Sequence, residues 1–306
     1  MSTVLITGGT GLIGTAITKE LLNKGYSVII LSRSFQKYSE TSRLSYARWN
    51  IDDQFIDTNA ILKADHIIHL AGAGVADKRW TSKRKKEIVE SRTKSSELLV
   101  KVLRENANNV KTVISASAIG WYGPDVHPSR AFVETDPASE DFLGTTCKQW
   151  QESVEPAASL GKRVVILRTG IVLAKEDGAL KEFKRPLRFG FATILGNGKQ
   201  VISWMHIEDL VRLYIYAIEH EKMNGVYNAV SPYPVTNKNF VLQMARFIRG
   251  KYFIPIYVPS FALKIALGEM SVEVLKSATV SCEKIKKEGY IFLYPSLQSA
   301  FKMMYG

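Results

Sequence analysis

Val4-Leu5-Ile6-Thr7-Gly8-Gly9-Thr10-Gly11-Leu12-Ile13-Gly14 runs from a short apolar strand straight into a glycine turn. Gly9, Gly11 and Gly14 satisfy G-x-G-x-x-G, and Gly8, Gly11 and Gly14 satisfy T-G-x-x-G-x-x-G. A helical pattern through Ala16, Ile17, Leu21 and Leu22 follows, and a second apolar run, Val28-Ile29-Ile30-Leu31, comes at the expected distance. Glycine lets the backbone turn sharply and approach a phosphate, while the helix N-terminus offers free N–H groups and a positive dipole end. Between a strand and a helix, this motif predicts a dinucleotide pyrophosphate site built from Gly8, Thr10, Gly11, Leu12, Ile13 and Gly14.

The second strand ends in Ser32-Arg33-Ser34. A site specific for NAD usually places Asp or Glu here, to bind the ribose 2′-hydroxyl. This chain has no carboxylate there to repel a 2′-phosphate. Arg33 can pair with that phosphate or stack on adenine, and the serines can donate hydrogen bonds. The expected cofactor is therefore NADP(H).

Further strands are predicted at residues 44–49, 66–70, 110–115, 163–168 and 225–229, with helices at 83–106 and 144–160 between them. This alternation predicts an α/β fold with a doubly wound parallel sheet of Rossmann type. Ligands of such sheets lie outside the carboxyl ends of the strands. Leu70, Ala71, Gly72 and Ala73 are accordingly expected to line the cofactor. Residues 175–202 are rich in glycine and basic residues, and the chain beyond 232 reads as mostly helical, with prolines at 232, 234, 255 and 259. Residues 1–230 are thus expected to form the cofactor domain. Residues 231–306, joined by 175–202, are expected to form a smaller, mostly helical lobe closing a cleft over the nicotinamide.

The 306 residues suffice for one large domain plus such a lobe. Cys147 and Cys282 are the two cysteines, far apart, which excludes a disulfide framework and predicts a reducing, cytoplasmic setting. The N-terminal apolar run is broken after three residues and reads as a strand rather than a signal peptide. No apolar stretch approaches membrane-spanning length. The net charge of +12 invites a nucleic-acid reading. Its densest run, Lys83-Arg84-Lys85-Lys86, opens a helix and reads as a solvated face, and no aromatic-interleaved basic motif accompanies it. The expected partner is a small-molecule substrate, with no nucleic acid and no membrane, and the excess charge can draw in anionic ligands. No His/Cys/Asp/Glu cluster has metal-ligand spacing, so no metal is expected.

From end to end the chain resembles an extended, atypical short-chain dehydrogenase/reductase. More narrowly it is similar to the "epimerase family" subgroup, which carries a C-terminal domain of unknown function. The resemblance rests on residues 5–14 and on His69-Leu70-Ala71-Gly72-Ala73, Arg79-Trp80-Thr81, Ser91-Arg92 and Ser117-Ala118-Ile119-Gly120-Trp121-Tyr122-Gly123. It continues through Asp141-Phe142-Leu143, Cys147, Trp150, residues 167–173, residues 203–210, Pro232, Pro234-Val235-Thr236 and Leu267-Gly268-Glu269-Met270. It implies a Rossmann fold, NADP(H), and a redox or epimerase-type activity; a homodimer is common in the superfamily.

The resemblance also implies a Tyr-x-x-x-Lys pair for proton transfer, with a serine orienting the substrate oxygen and an asparagine relaying protons. The lysine candidate is Lys148, which would also hold the ribose. Counting back four residues gives Gly144, which has no side chain to exchange a proton, and the asparagine position falls near Ser91. Ser117 remains as the orienting hydroxyl. Tyr122 could supply the phenol, or pack beside Trp121; Cys147 could be an acid or nucleophile, or a small buried hydrophobe. Ser117, Tyr122 and Lys148 form the candidate catalytic set. Arg79 and Trp80, with Tyr122, are candidates for the substrate side, by charge and stacking. His206 and Asp209 read as a contact between lobes, and His66 and His69 as packing residues. Two functions stand open. One is an NADP(H)-dependent oxidoreductase or epimerase acting on a small carbonyl, alcohol or sugar-like compound. The other is a non-catalytic NADP(H)-binding regulatory or redox-sensing protein, which Gly144 favours.

Overall fold

Burial between two helical layers requires strands that are apolar on both faces, and the central strands here are nearly continuous apolar runs. The computed structural model describes residues 2–34, 39–126, 130–175 and 177–306. In chain order the first half forms β1 (Thr3–Thr7), α1 (Leu12–Asn23), β2 (Ser27–Ser32), β3 (Leu44–Asn50), β4 (Phe55–Ile56), α2 (Thr58–Lys63), β5 (His66–His69), α3 (Ser82–Glu105), β6 (Thr112–Ala118), α4 (Phe142–Val154) and β7 (Arg163–Thr169). Then follow β8 (Ile171–Ala174), β9 (Asp177–Gly178), α5 (Ala179–Leu187), β10 (Phe191–Leu195), β11 (Val201–Ile202), β12 (Trp204–His206), α6 (Ile207–Glu219) and β13 (Gly225–Ala229). The chain finishes with β14 (Val235–Thr236), α7 (Asn237–Arg249), β15 (Ile254–Val258), α8 (Ser260–Leu267), α9 (Ser271–Leu275), α10 (Glu283–Lys287) and α11 (Leu297–Tyr305).

The main sheet has eight strands in the order β13-β7-β6-β5-β1-β2-β3-β4. All neighbours are parallel except β3 and β4. The strand order reverses between β1 and β5, so the crevice outside their carboxyl ends is the expected ligand site. One apolar core packs α1 and α6 on one face, and a second packs α3 on the other. A third core builds the lobe: Leu173, Leu187, Ile194 and Trp204 meet Phe240, Met244 and Phe301. Both chain segments that enter this core, 173–204 and 240–304, are needed to close it.

Two local differences have physical causes. The helix expected over 144–160 ends at Val154 and continues as a 3-10 turn, Glu155–Leu160. Pro156 has no N–H, and its ring clashes with the preceding turn, so the α-helical ladder stops there. The segments read as glycine-rich or helical also contain short strands. β10 and β15 pair in parallel across 58 intervening residues that no local pattern spans; β11 pairs with β14, and β8 with β12.

A buried relay ties β1 to β5. The Thr7 hydroxyl accepts from the N–H groups of Leu70 (3.1 Å) and Ala71 (3.2 Å), and donates to His69 Nδ1 at 2.8 Å. The ring's Nε2 lies 3.0 Å from Ser96 Oγ and 3.3 Å from Ser95 Oγ, and both serines donate to the Arg92 carbonyl. With Nδ1 accepting and Nε2–H donating, His69 is neutral. Burial pushes it down to about 4. His206 is held down to about 4 by the same cause. The unfolded chain takes up a proton at each ring near pH 6.5, whereas the folded chain does so only near 4. Stability is therefore complete above pH 6.5 and falls as pH drops from 6.5 to 4, by on the order of 3 kcal/mol per histidine. Urea midpoints at pH 7 and pH 4.5 measure the fall, and His69→Gln should remove part of it. An unchanged pH dependence in that variant would show that His69 does not titrate as described.

Candidate active site

The glycine turn is shaped by what cannot fit. A Cβ on Gly14 would lie 2.4 Å from the Gly8 carbonyl oxygen, and one on Gly9 would lie 2.8 Å from Ile30. Gly8 adopts a φ of +69° and packs against the Leu70–Ala71 backbone. Gly11 faces open space apart from a distant 3.5 Å approach to Gly8. It is the N-cap of α1, which has neither a side-chain cap nor an acidic residue in its first turn. The first N–H groups of α1, at Leu12 and Ile13 beside the exposed Thr10, are thus available to an anion.

At the end of β2, Ser32 Oγ accepts from Ser34 N–H at 3.2 Å, while Arg33 is exposed. Among the described residues no carboxylate lies within ion-pair distance of Arg33. Across the crevice, the Ala73 N–H donates to Ser91 Oγ (2.9 Å) and its carbonyl accepts from Arg92 (3.0 Å). Gly72 is exposed, and a Cβ there would sit 3.1 Å from the Arg92 guanidinium carbon. Arg92 in turn lies over the Trp150 ring at 4.9 Å. Leu70 to Ala73 is thus a backbone ledge held from behind, with Gly72 on the open side.

Past the end of this ledge runs a chain of buried polar groups. Ser117, near the end of β6, accepts from Gln151 Nε2 at 2.7 Å. Gln151 Oε1 accepts from Arg168 of β7 at 3.1 Å. Arg168 also donates to the Tyr122 hydroxyl (2.9 Å) and the Glu134 carbonyl (3.1 Å), and it covers the Trp121 ring at 3.7 Å. The Tyr122 hydroxyl donates to Asn228 Oδ1 of β13 at 2.8 Å. Cys147 is buried beside Ser117 and the Ala118 backbone, and burial pushes its thiol up to about 11. Arg92 on one side opposes that shift without overcoming it.

Lys148, expected to hold the ribose, stands on the exposed face of α4. Its side chain is 57% exposed and faces Glu152, one turn on, at 3.9 Å. Gly144 is the reason no tyrosine stands there: a Cβ would lie 2.2 Å from the Ser139 carbonyl oxygen. The inward pair separated by one turn of α4 is instead Cys147 and Gln151. Tyr122 takes the packed one of its two readings. It is fully buried, stacked on Phe132 at 4.9 Å, and its hydroxyl is occupied by Arg168 and Asn228, so it packs rather than facing the cleft. Burial raises its pKa in spite of Arg168. Gln151, Arg168 and Asn228 were not anticipated. Only Gln151 left a local signal, at the inward spacing set by Cys147 and Val154.

Arg79 donates to the Ile265 carbonyl of α8. Trp80 donates to the Val75 carbonyl at 2.9 Å and meets Phe142 edge-on at 4.8 Å. Both stand where α3, α4 and the lobe converge. Lys85 pairs with Glu269 there, and Lys276 with Glu273 (2.8 Å) and Asp141 (3.8 Å). His206 caps α6, and Asp209 accepts from the N–H groups of Leu293 (2.7 Å) and Tyr294 (2.9 Å), a contact between the main domain and the C-terminal segment. Among the described residues no group of His, Cys, Asp and Glu could hold a metal ion.

Residues 4–229 match the NAD dependent epimerase/dehydratase family. The chain belongs to that family. Residues 258–304 match a domain of unknown function, DUF1731. An epimerase family protein of Staphylococcus haemolyticus is 34% identical over 303 residues, 99% of this chain and 98% of its own. Another from Mycobacterium leprae is 35% identical over 270 residues, 88% of this chain and 84% of its own. Among solved structures, human epimerase family protein SDR39U1 with NADPH superposes with a TM-score of 0.86 at 27% identity, over 99% of both chains. MoeE5 in complex with UDP-glucuronic acid and NAD superposes at 0.79 and 20% identity, over 98% of this chain and 97% of its own, and shares the fold. This family member therefore has a Rossmann-type NAD(P) site.

Tyr122→Phe should lower stability by about 1–3 kcal/mol, because Asn228 and Arg168 each lose a buried partner. Affinity for the nucleotide should not change. A variant as stable as the parent in urea would show that the hydroxyl carries no weight in the network.

Proposed function

We propose that this chain is an NADP(H)-dependent oxidoreductase or epimerase acting on a small carbonyl, alcohol or sugar-like compound. The observation that carries the choice of nucleotide is Arg33, an exposed guanidinium without a carboxylate partner at the end of β2. The full-length likeness to a human relative solved with NADPH supports the same choice. The cradle of Gly8, Gly11 and Gly14 suits a pyrophosphate, since it leaves the α1 N–H groups bare. When bound, the nicotinamide supplies the hydride chemistry.

The residues of the chain set the proton side. Arg168 accepts nothing and donates to Gln151 Oε1, so the Gln151 amide must turn its NH₂ toward Ser117. Ser117 Oγ then receives a hydrogen bond, and its own hydrogen, which faces the Cys147 thiol, would turn to a substrate oxygen. Cys147, with its thiol pushed up by burial, holds a proton at Sγ at neutral pH and is an acid rather than a nucleophile. This Ser117, Cys147 and Gln151 group stands in for the serine, tyrosine and lysine of the wider superfamily.

A second reading has its own support. Ser117 and Cys147 are each only 4% exposed. A protein that binds NADP(H) without turnover, as a regulator or redox sensor, has no need to open that site.

Titration with NADPH and NADH by nucleotide fluorescence tests the cofactor. The expected result is tighter NADPH binding, lost by about tenfold or more in Arg33→Asp. Tighter NADH binding by the parent chain would overturn the choice. With any carbonyl compound that oxidises bound NADPH, turnover should fall in Cys147→Ser and further in Cys147→Ala, because serine still carries a proton and alanine does not. Full turnover in Cys147→Ala rules out the thiol.

A further inference from the structure

The excess positive charge is not spread over the chain. Residues 183–207 and 222–268 hold ten lysines and arginines and no aspartate or glutamate, so they account for ten of the twelve excess charges. These segments build most of the lobe. At one end of it, side chains project into solvent that a folded protein normally covers: Phe189 is 79% exposed, Tyr252 87% and Ile254 61%. Backbone contacts place them together. The Ile254 N–H donates to the Gly190 carbonyl at 2.8 Å, and Ile254 pairs with Phe191 in the β10–β15 ladder. Arg249, at the end of α7, donates to the carbonyls of Leu187 and Arg188 at the end of α5. Lys181, Lys184, Arg185 and Arg188 line a cavity of about 190 Å³ on the same helix, where Arg185 also pairs with Glu182 at 2.7 Å.

We propose that this end of the lobe docks on an anionic lipid surface. Cations clustered around projecting aromatic and aliphatic tips are the pattern that binds a bilayer from outside: charge draws the surface to anionic headgroups, and the tips seat at the headgroup boundary. The charge argues against a second copy of the chain, since two such faces would oppose net positive charge. Nucleic acid fits less well, because Ile254 has no ring face for a base to stack on. Among the described residues no helix is long and apolar enough to cross a membrane, so the attachment is to the surface. The expectation of no membrane partner came from the lack of a spanning stretch and does not bear on surface docking. The inference is independent of the proposed activity.

Flotation of the full chain with phosphatidylcholine vesicles, with and without phosphatidylglycerol, tests it. The protein should float with the anionic vesicles only, and less so as salt rises. Arg188→Glu with Lys251→Glu should weaken binding by about tenfold or more, as should Phe189→Ser with Tyr252→Ser. All four positions are exposed, and NADPH titration of the variants confirms that they are folded. Failure of the parent chain to float, or floating of either double variant like the parent, overturns the proposal. Release from anionic vesicles by a single-stranded RNA oligonucleotide that needs the same residues would reassign the face to nucleic acid. Loss of a parent-chain dimer in the variants, seen by sedimentation, would reassign it to self-association.

Discussion

Gly14 leaves no room for a side chain, and the architecture around the site follows from that. With a hydrogen in place of Cβ, the first turn of α1 closes onto Gly8 and Gly9, within 2.4 Å of where a Cβ would be. The helix thereby starts at the carboxyl end of β1 and leaves its bare N–H groups there. Gly8, in its left-handed conformation, lets the same turn touch the Leu70–Ala71 backbone. Thr7, one residue earlier, can then reach the N–H groups of those two residues. One steric constraint thus joins β1, α1 and β5 at the point where the strand order reverses.

The second organising element is electrostatic. Arg168 is a buried guanidinium with no carboxylate in ion-pair distance among the described residues. Burying such a charge is unfavourable unless its donors are met. Tyr122, Glu134 and Gln151 accept from its two terminal nitrogens, and the rings of Trp121 and Tyr122 lie against it. Its Nε has no partner. A network satisfied to that degree specifies geometry more than it stabilises the fold. The geometry it specifies is the orientation of one amide, that of Gln151, and through it the hydrogen on Ser117.

The glycine turn and the sheet were legible because their requirements fall on consecutive residues. A strand, a turn and a helix must follow one another for a pyrophosphate to bind, and each leaves a local pattern. The group proposed to carry the proton was legible only in part. Ser117 stood in a recognisable segment, but the lysine at 148 drew the count along α4 to a residue that faces water. The buried face of that helix, at 144, 147, 151 and 154, was the better guide to direction. Arg168 and Asn228 come from β7 and β13 and meet Tyr122 only once the parallel sheet has formed. No pattern within the chain foretells that meeting. The short strands of the lobe escaped for the same reason, since two to five residues carry no period.

The lobe and the site are coupled by the distribution of charge. Two carboxylates of the main domain are held by backbone donors of the C-terminal segment. Asp125 accepts from the Thr279 N–H and hydroxyl, both at 2.7 Å, and Asp209 accepts from Leu293 and Tyr294. Lys276 reaches Asp141 and the Tyr122 carbonyl. Asp141 is also the N-cap of α4, accepting from the Gly144 N–H at 2.7 Å. Gly144 can sit that close to Ser139 only because it lacks a side chain. The carboxylate that starts α4 is therefore one that the lobe also holds. Since α4 carries Cys147 and Gln151, a displacement of the lobe changes the field and position of the helix start that sets both. The residue whose absent side chain removes the usual tyrosine is thus the residue that lets the lobe hold the start of the helix bearing Cys147 and Gln151.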